Sequence, residues 1–72
     1  MSAGRLTESP AGEVYEVFAK IKPEDRLHHI GNVTAPEVEL ARVYAFTTYQ
    51  EWGWAEMIIA PRRAIVPIVE VA

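Results

Sequence analysis

From Glu13 to Ile21 the sequence EVYEVFAKI alternates with period two and is rich in β-branched and aromatic residues, which predicts a strand. Tyr15, Val17, Ala19 and Ile21 fall on one face, the core face. Val14, Glu16, Phe18 and Lys20 fall on the other, where Phe18 stays bare unless something covers it. Lys22-Pro23-Glu24-Asp25 supplies turn chemistry, with Pro23 fixing φ. Arg26–Val33 reads as the second strand, hairpin-paired with the first. Its period puts Leu27, His29, Gly31 and Val33 on one face and His28, Ile30 and Asn32 on the other. A glycine inside a strand, Gly31, signals a bulge or a close approach by the helix or a partner.

The period then changes. Thr34-Ala35-Pro36-Glu37 has the capping-box pattern, with Thr34 as N-cap, Glu37 at N3 and Pro36 in the first turn. This predicts a helix over 35–51, stopped at Gly53. Val38, Ala41, Ala45, Tyr49 and Trp52 form one stripe, and Leu40, Val43, Tyr44 and Thr47 form another beside it. Small residues at 41 and 45 let the helix axis lie close to a sheet. Phe46 lies off that side. Either the core face is broad and Phe46 is a stray aromatic, or a second face is buried at a subunit contact.

Trp54–Ala60 and Ala64–Val71 read as a third and a fourth strand, joined by Pro61-Arg62-Arg63. Met57 and Ile59 share one face of the third, Trp54 and Ile58 the other. Pro67 has no ladder donor, so the fourth is an edge strand or is broken there. The expected architecture is α+β: a small, mostly antiparallel sheet in the order ββαββ, with one helix packed on one face. Residues 1–12, rich in small and polar residues without periodicity, read as a flexible amino-terminal arm, or one that orders on a partner, ahead of a single domain at 13–72.

Composition sharpens this picture. A chain of 72 residues supports one small core, and cores of this size are often reinforced by disulfides, metals or association. Cysteine is absent, so disulfides and thiolate sites are excluded and association remains. The lack of cysteine fits a cytoplasmic protein. The start, MSAGRLTESPAG, has no apolar core and does not resemble a signal peptide. No apolar run approaches the roughly 18 residues of a membrane span. With seven basic and ten acidic residues and a net charge of −3, the chain lacks the clustered basic face that nucleic-acid binding needs.

Candidate chemistry is sparse, and no catalytic, cofactor-binding or metal-ligating residue is expected. Ser2 and Ser9 lie in the arm, away from any scaffold for a triad. The four glycines are scattered, so no phosphate loop is present, and the helix carries no Glu-x-x-His pair of the di-iron type. His28 and His29 titrate near neutrality, but on opposite faces of one strand they cannot share a metal. A ligand or base role for either needs a carboxylate such as Glu13, Glu16 or Asp25 across the hairpin. Glu24 and Asp25 read as a solvated turn. Arg62 and Arg63 read as solvated rim or as a grip on an acidic partner. Trp52 and Trp54, flanking Gly53, read as core or as interface anchors.

The order Tyr15-Glu16-Val17-Phe18, then His29-Ile30-Gly31 leading into the helix, then the Leu40-Ala41, Ala45 and Tyr49 spacing, then an apolar strand, resembles the small B subunit (PaaB) of phenylacetyl-CoA epoxidase over residues 14–60. That family belongs to the multicomponent ring-epoxidising monooxygenase of aerobic phenylacetate degradation. The resemblance implies a non-catalytic, metal-free accessory subunit that organises di-iron oxygenase subunits. The di-iron centre is then held by the partner, and a flavin and iron–sulfur reductase supplies electrons. The chain departs from the family in a shortened loop after the helix, in lacking a longer polar carboxy-terminal tail, and in a more apolar helix surface at Val43, Tyr44, Phe46 and Trp52. A related multicomponent oxygenase is therefore also compatible.

The expected function is thus assembly, with Phe18, Val43, Phe46, Trp52, Trp54, Arg62 and Arg63 as candidate partner-interface residues, and a homo-oligomer in isolation. The alternative is a small dimeric α+β ligand-binding or regulatory module with a pocket lined by Tyr44, Trp52 and Trp54. A free-standing enzyme using His28 or His29 ranks last.

Overall fold

The computed structural model describes residues 12–69. The elements run β1 (Glu13–Lys20), β2 (His28–Ala35), α1 (Val38–Thr48) and β3 (Glu56–Pro61), followed by a single 3-10 turn at Arg62–Ala64. The three strands form an antiparallel sheet in the order β2-β1-β3, and the helix lies across one face. The α+β class is as expected. Almost all of the arm, residues 1–11, lies outside the described residues.

The central strand carries the core. Tyr15, Val17 and Ala19 are buried on the helix side, opposite Val33 and Gly31 of β2 and Pro61, Ile59 and Met57 of β3. Ile21, assigned to the same face, falls beyond the end of the strand and is exposed. The turn after β1 closes as its residues require: the Asp25 backbone N–H donates to the Lys22 carbonyl at 3.0 Å, and the Lys22 N–H donates to the Asp25 carboxylate at 3.3 Å.

The second strand begins and ends two residues later than expected, and this moves the helix. Thr34 and Ala35 are not a cap and a first helical turn. They pair with Val14 and Glu13, and Ala35 is fully buried. Backbone pairing plus burial outweighs one side-chain cap, whose loss costs about 1 kcal/mol. The helix starts instead at Val38, with Glu37 as N-cap, its carboxylate accepting from the Glu39 N–H at 2.9 Å. It ends at Thr48, where the Tyr49 N–H bonds back to the Ala45 carbonyl. Gly53 is four residues past the cap residue and does not terminate the helix. The stripe is correspondingly shorter: Ala41 and Ala45 are buried, Tyr49 is half-buried, and Val38 and Trp52 are exposed.

Gly31 meets both expectations set for it. The β1–β2 register slips beside it, with Val17 opposite Gly31 but Phe18 opposite His29, so Ile30 is the extra residue of a bulge. A Cβ at Gly31 would overlap the Tyr49 hydroxyl, so the end of the helix rests directly on this glycine. The bulge inverts the parity of the residues before it. His29, expected on the face of Gly31 and Val33, sits instead on the outer face with Phe18 and Glu16.

The third strand occupies 56–61 rather than 54–60. The expected fourth strand is not formed among the described residues. After Pro61 the chain makes the 3-10 turn, and Ile65–Val69 follow without strand pairing. The order within 12–69 is therefore ββαβ.

Candidate functional site

Two surfaces carry the residues singled out in the sequence. The first lies on the helix side. Because Ala41, Ala45 and Tyr49 seat the helix on β2 and the centre of the sheet, it makes only slight contact with β3. An open groove of about 630 Å³ remains between α1 and β3, lined by Val43, Ala45, Phe46, Met57, Ile58 and Ile59, with Glu39 and Arg42 beside them. Glu39 and Arg42 pair at 3.1 Å while both stay well exposed, a rim contact of little energetic weight. Val43 is 56% and Phe46 64% exposed. Tyr44, Trp52 and Trp54 do not line this groove. Trp52 is exposed, while Trp54 is half-buried and donates its indole N–H to the Tyr49 carbonyl, tying the post-helix loop to the helix end.

The second surface is the outer face of the sheet, centred on Glu16. Its carboxylate is nearly covered, accepting from the Arg62 guanidinium on one oxygen and meeting His29 Nε2 at 2.7 Å on the other. Phe18 is half-buried with its ring against His29, centroids 5.3 Å apart and planes tilted by 54°. The hydrogen bond from Arg62, and then that from His29, hold the Glu16 carboxyl below the ordinary carboxylate value. Arg63 pairs with Glu13 at the edge of the same strand. The two arginines read as solvated rim or partner grip are thus committed to carboxylates of β1.

An imidazole on a carboxylate is the pairing from which general bases are made. Here the carboxylate is already shared with the Arg62 guanidinium. The arrangement acts as a clasp that fixes the 3-10 turn to β1. Glu16 is one of the three carboxylates the sequence offers to a histidine across the hairpin; what the sequence does not show is that the bulge beside Gly31 turns His29 to the face of Glu16 and that Arg62 joins them there. His28 pairs with Ala19 at the strand's start and stays apart from this cluster. Among the described residues no group of three or more His, Asp or Glu is placed to hold a metal, and no helix is long and apolar enough to cross a membrane. No family model, curated protein or solved structure matches the chain.

Proposed function

We propose that this chain is a non-catalytic accessory subunit of a multicomponent di-iron monooxygenase of the phenylacetyl-CoA epoxidase type, working in the cytoplasm. In this reading the di-iron centre and the phenylacetyl-CoA substrate belong to the partner subunits, and this chain organises them through its helix face. The observation that carries the reading is the bare apolar helix surface at Val43 and Phe46 beside an unfilled groove. Large apolar side chains concentrated in this way mark protein contact surfaces. The motif order from Tyr15 to Tyr49 selects the type of partner.

The experiment is co-expression with a di-iron oxygenase subunit of the ring-epoxidising class, followed by affinity capture and turnover assay. The expected result is a stoichiometric complex that Phe46→Asp weakens at least about tenfold, the usual effect of polarising an interface anchor. Absence of a complex, with turnover unaffected by this chain, rejects the proposal. A second reading, a dimeric ligand-binding module, is favoured only by the groove volume, which falls within the usual range for small-molecule sites. Native mass spectrometry after incubation with a metabolite mixture separates the two, since a retained small molecule without a protein partner supports the module.

A further inference from the structure

The segment Ile65–Val69, IVPIV, has the composition of a strand and no strand partner within 12–69. Val66, Ile68 and Val69 are 76%, 93% and 87% exposed. Ile65 is already extended, with φ −91° and ψ 118°. The described residues also contain what such a segment lacks. The sheet order β2-β1-β3 leaves one long edge of β3 without a neighbour, and the apolar groove under the helix opens beside that strand.

The chain cannot bring these together within itself in this conformation. A hairpin of β3 with Ile65–Val69 would require the chain to turn outward, to the free edge of β3. The 3-10 turn at 62–64 instead packs against β1, on the other side of β3. It is held there by Arg62 on Glu16 and Arg63 on Glu13. The two ion pairs steer the tail away from its own vacant edge.

We infer that two copies of the chain associate by exchanging Ile65–Val69, each tail lying as a fourth strand on the free β3 edge of the other copy. Strand parity fits this pairing. Pro67 has no N–H and must direct its backbone away from the partner strand. Val66 and Ile68 then make the ladder hydrogen bonds and share one face, the face that enters the groove. A symmetric exchange makes the junction twice. It covers the tail, the groove and the free β3 edge of each copy, which is otherwise a site for uncontrolled pairing. This contact needs no other protein, so its test does not depend on the assembly role proposed above.

Sedimentation equilibrium on the full chain tests it, together with Ile68→Asp and the double variant Ile68→Cys/Phe46→Cys. The expected results are a wild-type dimer, at least about tenfold weaker dimerisation of Ile68→Asp, and a variant that keeps the helical far-UV signal, because Ile68 is 93% exposed and lies outside the helix and the three strands of the single chain. The chain has no native cysteine, so oxidation of the double variant is expected to give covalent dimers and no other thiol product. A wild-type chain that stays monomeric at its highest soluble concentration overturns the inference, as does a dimer that Ile68→Asp leaves intact. Disulfide closure within the monomer would show the tail folding back into its own groove and also overturns it.

Discussion

At Glu16 the strand pattern and the chemistry of the site pull in different directions. A carboxylate in the central strand of a three-stranded sheet is costly to cover unless its charge is met. Here Arg62 and His29 meet it from β3's exit and from β2. Both lower its pKa, Arg62 more than His29. The sign of the pH dependence follows. The unfolded chain titrates Glu16 near its ordinary value of 4.5 and the folded chain titrates it lower. As pH falls through 4.5 toward the folded value, the unfolded state takes up the proton first and stability drops; above that window the contribution is fully present. Urea midpoints measured between pH 3 and 7 are therefore expected to show a steeper acid loss for the wild type than for Glu16→Gln. Arg62→Ala is expected to flatten the loss more than His29→Ala. An acid limb identical in Glu16→Gln and the wild type would show that the clasp contributes nothing to folding.

Helix and sheet meet through small residues, and this sets how closely they can sit. Ala41 and Ala45 bring the axis down, and Gly31 admits the Tyr49 hydroxyl. Gly31→Ala forces the new methyl into that oxygen. It is expected to cost about 1–3 kcal/mol, the usual penalty for overpacking, read as a lowered denaturation midpoint. In Tyr49→Phe the obstructing oxygen is gone, so Gly31→Ala on that background should cost clearly less. Equal costs on the two backgrounds would place the strain elsewhere. The same elements show how far the sequence was legible. Period two identified β1 and its core face, and Gly31 signalled a bulge or a close approach, of which the structure has both. The helix start was misread because Thr34 and Glu37 match a capping box locally, while the choice was made by nonlocal pairing of Thr34 and Ala35 with β1. His29 was misplaced because one inserted residue reverses strand parity, and no local signal says on which side of Gly31 the insertion falls. The segment Ala64–Val71 was read as a strand from its composition, and its described part, through Val69, is left unpaired.

Across the described residues, the buried apolar side chains are Tyr15, Val17 and four alanines, and Val17 is the largest that is fully buried. Such a core removes little area from water, and at about 25 cal/mol per Å² it leaves a thin margin over conformational entropy. Thirteen large hydrophobics remain exposed, so much of the chain's apolar surface is available for contacts between molecules. The two proposals use overlapping parts of it. The exchanged tail fills the groove between α1 and β3, and the di-iron partner is assigned the helix face at Val43 and Phe46, which line that groove. Self-association and assembly therefore compete, and the free energy of the homodimer is subtracted from that of the complex. Ile68→Asp removes the first contact without altering the second surface. Titrated with the di-iron subunit at chain concentrations above the homodimer dissociation constant, it is expected to bind more tightly than wild type in apparent affinity. The gain should shrink to nothing on dilution below that constant. Equal apparent affinities at every concentration would mean that the two contacts occupy separate surfaces, so that the subunit enters its complex still paired with its own copy.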